Sequence, residues 1–144
     1  MPTLPFPEHV RELLTAPNPA VVATLRSDGA PVTVATWYLL EDDDRVLVNM
    51  DDTRVRLGHL RRDPRLSLTV LAADDWYTHV SLVGRVVELR PDEGLVDIDR
   101  LSNHYGGRDY LNRESPRTSA WLAVEKWHGW GATRAMLGER QGHR

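Results

Sequence analysis

Six short runs rich in β-branched and aromatic residues, each stopped by a turn or helix signal, constrain this chain more than any other feature. Ala20 to Leu25 ends at Ser27-Asp28-Gly29, and Pro31 to Leu40 supplies the return strand of a hairpin. Glu41 to Asp44 makes an acidic turn into a third strand, Arg45 to Met50. Arg65 to Leu71 and Trp76 to Leu89 alternate apolar and polar residues as two further strands, with Gly84 marking a bulge or a close backbone approach. Ser119 to Trp127 reads as the sixth.

Short helices interrupt the strands. Pro7, Glu8, Val10, Leu13 and Leu14 predict an amphipathic helix ending near Ala16-Pro17 and lidding a barrel end. Asp51-Asp52-Thr53 offers capping oxygens to a helix that carries Val55, Leu57 and Leu60 to about Arg62, before the corner Asp63-Pro64. A third helix begins at Pro91-Asp92-Glu93 and runs through Leu95, Ile98 and Leu101 to a loop at Gly106-Gly107. Six antiparallel strands with peripheral helices predict a mainly β protein, a six-stranded split or nearly closed barrel rather than a βαβ sheet. Side chains fill the interior of so small a barrel, so a large planar ligand belongs outside it, in a groove between two copies of the chain.

With 144 residues the chain reads as one domain, 1–144, with 131–144 as a loose or partner-draped tail. It contains no cysteine, which removes disulfides, thiolate catalysis and Cys-based metal centres, so redox chemistry requires a borrowed cofactor. A net charge of −3 gives no global pull toward nucleic acid or an anionic membrane surface. No apolar run approaches the roughly 20 residues of a membrane span, and the N-terminus lacks the pattern of a secretory signal, so cytoplasm is the expected location. The histidines form no His-x-x-x-His pattern, no metal is expected, and neither a dinucleotide-binding nor a P-loop glycine motif occurs.

The stretch from Arg54 through Val55, Arg56, Leu57, Gly58, His59, Leu60, Arg61, Arg62, Asp63 and Pro64 to Arg65 leads into a strand, then Trp76, then Val80-Ser81-Leu82-Val83-Gly84. This order resembles the pyridoxamine 5′-phosphate oxidase-like superfamily, over about two-thirds of the chain from Ala20 to Leu89. The match is closer to its coenzyme F420-dependent branch than to authentic pyridoxamine-phosphate oxidases. Those oxidases carry an arginine and a lysine on the second strand, and Pro31 to Leu39 has neither. Their arginine- and histidine-bearing terminal motif is also missing from Trp121 to Trp130.

The resemblance implies a cofactor site built from Ala35, Thr36, Trp37, Asn49, Met50, Thr53, Arg54, Val55, Arg56 and His79. Arg54 and Arg56, at a helix start, would clamp a phosphate, since a guanidinium offers a planar fork of donors and stays charged. Spacing alone equally suits the solvated face of a short helix, with Arg61 and Arg62 continuing it. Asn49, Met50 and Thr53 would meet the ring and ribityl chain, Ala35, Thr36 and Trp37 would line the ring, and His79 would face the cofactor. Ordinary strand packing explains Met50 and Ala35 as well. Trp76, Tyr77, Trp127 and Trp130 suit stacking on a planar ligand or the core of a dimer interface. No side chain stands out as an obligatory acid or base; His79 and Tyr38 are the candidates.

The implied activity is an F420-dependent reductase passing hydride between the deazaflavin and a small unsaturated or conjugated substrate, in a homodimer with the cofactor between chains. Two alternatives remain open: the same fold with FMN as an oxidase or flavin reductase, and a cofactor-binding module without turnover.

Overall fold

In the computed structural model, which describes residues 1–133, seven antiparallel strands form one sheet. They are β1 (Ala20–Leu25), β2 (Pro31–Thr36), β3 (Leu39–Leu40), β4 (Val46–Asp51), β5 (Arg65–Ala72), β6 (Asp75–Pro91) and β7 (Arg117–Trp130). The helices are α1 (Glu8–Thr15), α2 (Val55–Arg62) and α3 (Val96–Gly106), the last preceded by a 3-10 turn, Glu93–Leu95.

The seventh strand corrects the expectation of six. Pro31 to Leu40 is one β-rich run in sequence, but it breaks at Trp37-Tyr38 because its halves take different partners. β2 pairs with β1, and β3 pairs with β4. The sheet order β2-β1-β5-β6-β7-β4-β3 therefore places at opposite edges two strands that are joined by only two residues. Laid flat, outer strands of a seven-stranded sheet would lie about 29 Å apart, whereas that link spans at most about 11 Å. The sheet must curl until its edges approach, and this is the split barrel.

Strand periodicity sorts the residues. On β4, Val46, Val48 and Met50 point into the main core, while Leu47 points outward and joins Ile98, Leu101 and Trp121 in a second cluster under α3. Both faces of β4 are thus covered, and Val46 through Met50 are all buried. Phe6, Val10 and Leu14 bring α1 onto the main core, and Leu57 and Leu60 do the same for α2.

Two local expectations change. The capping oxygens before α2 are spent elsewhere: Asp51 Oδ1 accepts the backbone N–H and hydroxyl of Thr53, Asp52 Oδ1 accepts the Thr118 hydroxyl, and the N-cap Arg54 makes no side-chain cap. The helix expected from Pro91 begins properly at Val96, after a kink with Gly94 at φ 69° and Leu95 at φ 59°. Asp92 caps it from across that kink, its carboxylate accepting the N–H groups of Asp97 and Ile98. Within the expected tail, Gly131 to Thr133 is packed: Thr133 is buried and its hydroxyl donates to the His79 and Trp130 carbonyls. The rest of that tail, 134–144, lies outside the described residues.

Candidate functional site

A pocket of about 620 Å³ opens outside the barrel, where the β2–β3 break, the segment before β1, α2, α3 and the start of β7 meet. Pro17, Pro19, Ala20 and Ala35 give it an apolar floor, with Ile98 and Leu101 of α3 behind. The Trp37 indole stacks on Tyr105 of α3 at 5.3 Å and 14° between planes, and meets Tyr110 edge-on at 6.1 Å. Tyr105 is fixed in turn: its hydroxyl donates to the Asn18 carbonyl at 2.7 Å and accepts the Tyr38 N–H at 3.3 Å. Burial pushes its pKa up to about 12, so it stays a neutral phenol.

The polar side of the pocket is cationic. Arg56 and Arg117 line it, and no aspartate or glutamate does. Arg56 is half-buried, and among the described residues it has neither an ion-pair nor a hydrogen-bond partner. Burial, then repulsion from Arg54 and Arg117, lowers its pKa from the usual guanidinium value. A half-buried cation repelled by two others gains when an anion comes beside it.

Of the ten residues implied by resemblance, Ala35, Thr36, Trp37, Asn49 and Arg56 come together here. Arg54 and Val55 instead line a second concavity along α2 with Arg61 and Arg62. Met50 is 1% exposed inside the barrel core, which leaves only backbone for a ligand at that position. Thr53 spends its hydroxyl on Asp51. His79 stands apart on β6, with Nδ1 3.0 Å from the Tyr77 carbonyl. Trp127 is core, whereas Trp76 and Tyr77 stack on each other in the open. Tyr38 is fully buried, its hydroxyl donates to the Ala16 carbonyl, and burial drives its pKa far above the ordinary phenol. It is therefore not a proton donor to this pocket.

Sequence reasoning missed Arg117, Tyr105 and Tyr110. Arg117 follows a Ser-Pro turn and nothing local marks it, while the two tyrosines lie on and beyond a helix read only for its apolar face. Among the described residues no group of three or more metal-ligating side chains occurs, and no helix is long and apolar enough to cross a membrane.

The sequence profile of the pyridoxamine 5′-phosphate oxidase family matches residues 6–131. Among solved structures, an F420 reductase superposes with a TM-score of 0.77 at 22% identity, covering 85% of this chain and 98% of its own. A conserved hypothetical protein from Mycobacterium tuberculosis gives 0.70 at 20% identity, covering 94% and 89%. A putative pyridoxamine 5′-phosphate oxidase from Listeria innocua gives 0.65 at 13%, covering 85% and 95%. At these identities the likeness is one of fold. No curated protein matches the chain.

Proposed function

Because this chain belongs to the pyridoxamine 5′-phosphate oxidase family, we propose that it is an F420-dependent reductase, transferring hydride between a deazaflavin and a small unsaturated or conjugated substrate. The family binds flavin-type cofactors, and its members are mostly oxidoreductases. The observation that carries the reading is Arg56, a half-buried cation without an acidic partner among the described residues, in a pocket walled by Trp37, Tyr105 and Tyr110. A planar ring system carrying a phosphate meets both demands at once.

Arg56 would hold the phosphate, with Arg54 adding positive potential from the N-cap of α2. Ala35, Thr36 and Trp37 would border the ring. When bound, a deazaflavin supplies two-electron hydride chemistry; the chain's part is to bind, orient and exclude water. β2 carries no arginine or lysine, which favours F420 over the phosphate grip of the FMN oxidases.

The working unit in this proposal is a homodimer. β2 is an edge strand exposed on both faces, with Val32 and Val34 open to solvent, and such an edge calls for a cover. A second copy would supply that cover, and His79 would join a pocket only from that copy.

The test is titration of the purified protein with F420 and with FMN, followed by fluorescence, and then oxidation of reduced F420 by conjugated acceptors. Tighter binding of F420 with turnover supports the proposal. Binding of FMN alone overturns the choice of cofactor, and binding of neither overturns the site.

A further inference from the structure

Asn49 and Arg117 form a single device. Asn49 lies on the outward face of β4, 6% exposed, beneath α3. Its Nδ2 donates to Asp92 Oδ2 at 3.1 Å and to Ser119 Oγ at 3.0 Å. Its Oδ1 accepts from Arg117 Nε at 2.7 Å. Both amide hydrogens are thereby spent, and the amide has one orientation: turned over, its NH₂ would face a guanidinium N–H and its oxygen a carboxylate. The supports are themselves fixed, Asp92 by the Asp97 and Ile98 N–H groups at 2.8 and 2.9 Å, and Ser119 by donating to Asp97 Oδ2 at 2.7 Å.

Arg117 is therefore gripped at Nε, and its guanidinium lies 4.9 Å from the centroid of the Tyr110 ring. Among the described residues its two terminal amino groups have no hydrogen-bond partner, and the residue lines the same pocket as Arg56. A guanidinium held at Nε and stacked on an aromatic ring keeps its terminal amino groups pre-organised for an oxyanion.

We infer that Arg117 is the second anion-binding arginine of the pocket, and that Asn49 is a positioning residue acting through it rather than a direct cofactor contact. This rests on the anion-binding reading of the pocket given above. The arms then come from distant parts of the chain, Arg56 from α2 and Arg117 from β7. Their shared target is the phosphate of a phosphorylated ring ligand.

The test compares ligands that differ only in the phosphate: FMN against riboflavin, and the 5′-phosphate of the deazaflavin's ribityl chain against the same deazaflavin and ribityl chain without it. Affinities are read by fluorescence for the unaltered protein, Arg56→Ala, Arg117→Ala, Arg117→Lys, Asn49→Ala and the double variant Asn49→Ala/Arg117→Ala. Arg117→Ala should weaken the phosphorylated ligand tenfold or more and leave the other within twofold. Lysine should restore only part. Asn49→Ala should weaken the phosphorylated ligand in the unaltered chain yet add less than twofold once Arg117 is gone. If Asn49→Ala does not fold, Ser119→Ala, which frees the same amide from its other side, takes its place in the cycle. Arg56→Ala weakening the phosphorylated ligand while Arg117→Ala leaves it unchanged overturns this inference alone, as does full additivity of the Asn49 and Arg117 effects. No preference for the phosphorylated ligand in the unaltered protein overturns the anion pocket and the inference together.

Discussion

The Trp37 indole lies flat on the Tyr105 ring, 5.3 Å between centroids and 14° from parallel, and so ties the seam of the barrel to α3. Tyr105 holds that seam a second way, through its hydroxyl to the Asn18 carbonyl and the Tyr38 N–H. Tyr105→Phe keeps the stack and removes both bonds, leaving an N–H and a carbonyl unsatisfied. Chemical denaturation should show a loss of about 1–3 kcal/mol, with cofactor affinity changed less than threefold.

Arg56→Ala separates the ligand-binding reading of α2 from the surface reading. Loss of a hydrogen bond to a charged group costs about 1.5–3 kcal/mol, roughly tenfold or more in affinity. The free protein should melt no lower than the parent, because the removed cation is half-buried and repelled by Arg54 and Arg117. Arg54→Ala should cost less affinity, since Arg54 lines the other concavity, and Arg61→Ala least. Equal binding by Arg56→Ala and the parent would return the helix to a charged surface.

Gly84 sits where β6 crosses β7 at a register shift, and a Cβ there would lie 2.0 Å from the Ala123 carbonyl oxygen. Backbone cannot yield as a flexible side chain does. Gly84→Ala should destabilise by about 1–3 kcal/mol, the usual cost of overpacking, seen as a lower denaturation midpoint with an unchanged m-value.

Light scattering should report a mass of about 33 kDa, twice the 16.4 kDa of the chain. Val34→Glu places a charge on exposed β2, where folding of one chain tolerates it within about 0.5 kcal/mol. It should shift the protein toward the monomer. A parent monomer with full cofactor affinity would remove the dimer from the proposal.

Asp63 turns the corner after α2 by accepting the Arg65 backbone N–H and pairing with its guanidinium at 2.7 Å. These contacts hold its pKa at about 2, below the ordinary 3.8. A depressed carboxylate stabilises the fold above its ordinary pKa, and this contribution is lost as pH falls through 3.8 toward about 2. NMR titration of the carboxyl carbon should give that low midpoint. Any melting difference between parent and Asp63→Asn should shrink with acid and, at this partly exposed corner, with salt.

Most of the elements can be read from the sequence. β1 was legible to the residue, and α2 and the Gly84 approach were legible because they rest on local chemistry: β-branched runs, turn residues, helix periodicity and a missing Cβ. Resemblance added Arg56, Trp37, Ala35 and Thr36, which do meet in one pocket. The break at Trp37-Tyr38 emerges with the assembled sheet, because nothing in a uniform β-rich run says that its halves will pair with strands at opposite edges. Assembly alone set the hydrogen bonds of Asn49, whose partners Asp92, Arg117 and Ser119 lie 43 to 70 residues away, and it alone brought Arg117 and Tyr105 to the pocket. Local pattern fixes which face of a strand a side chain takes. Which distant side chains it meets depends on how the sheet curls, a cooperative property of the whole chain that no single segment carries.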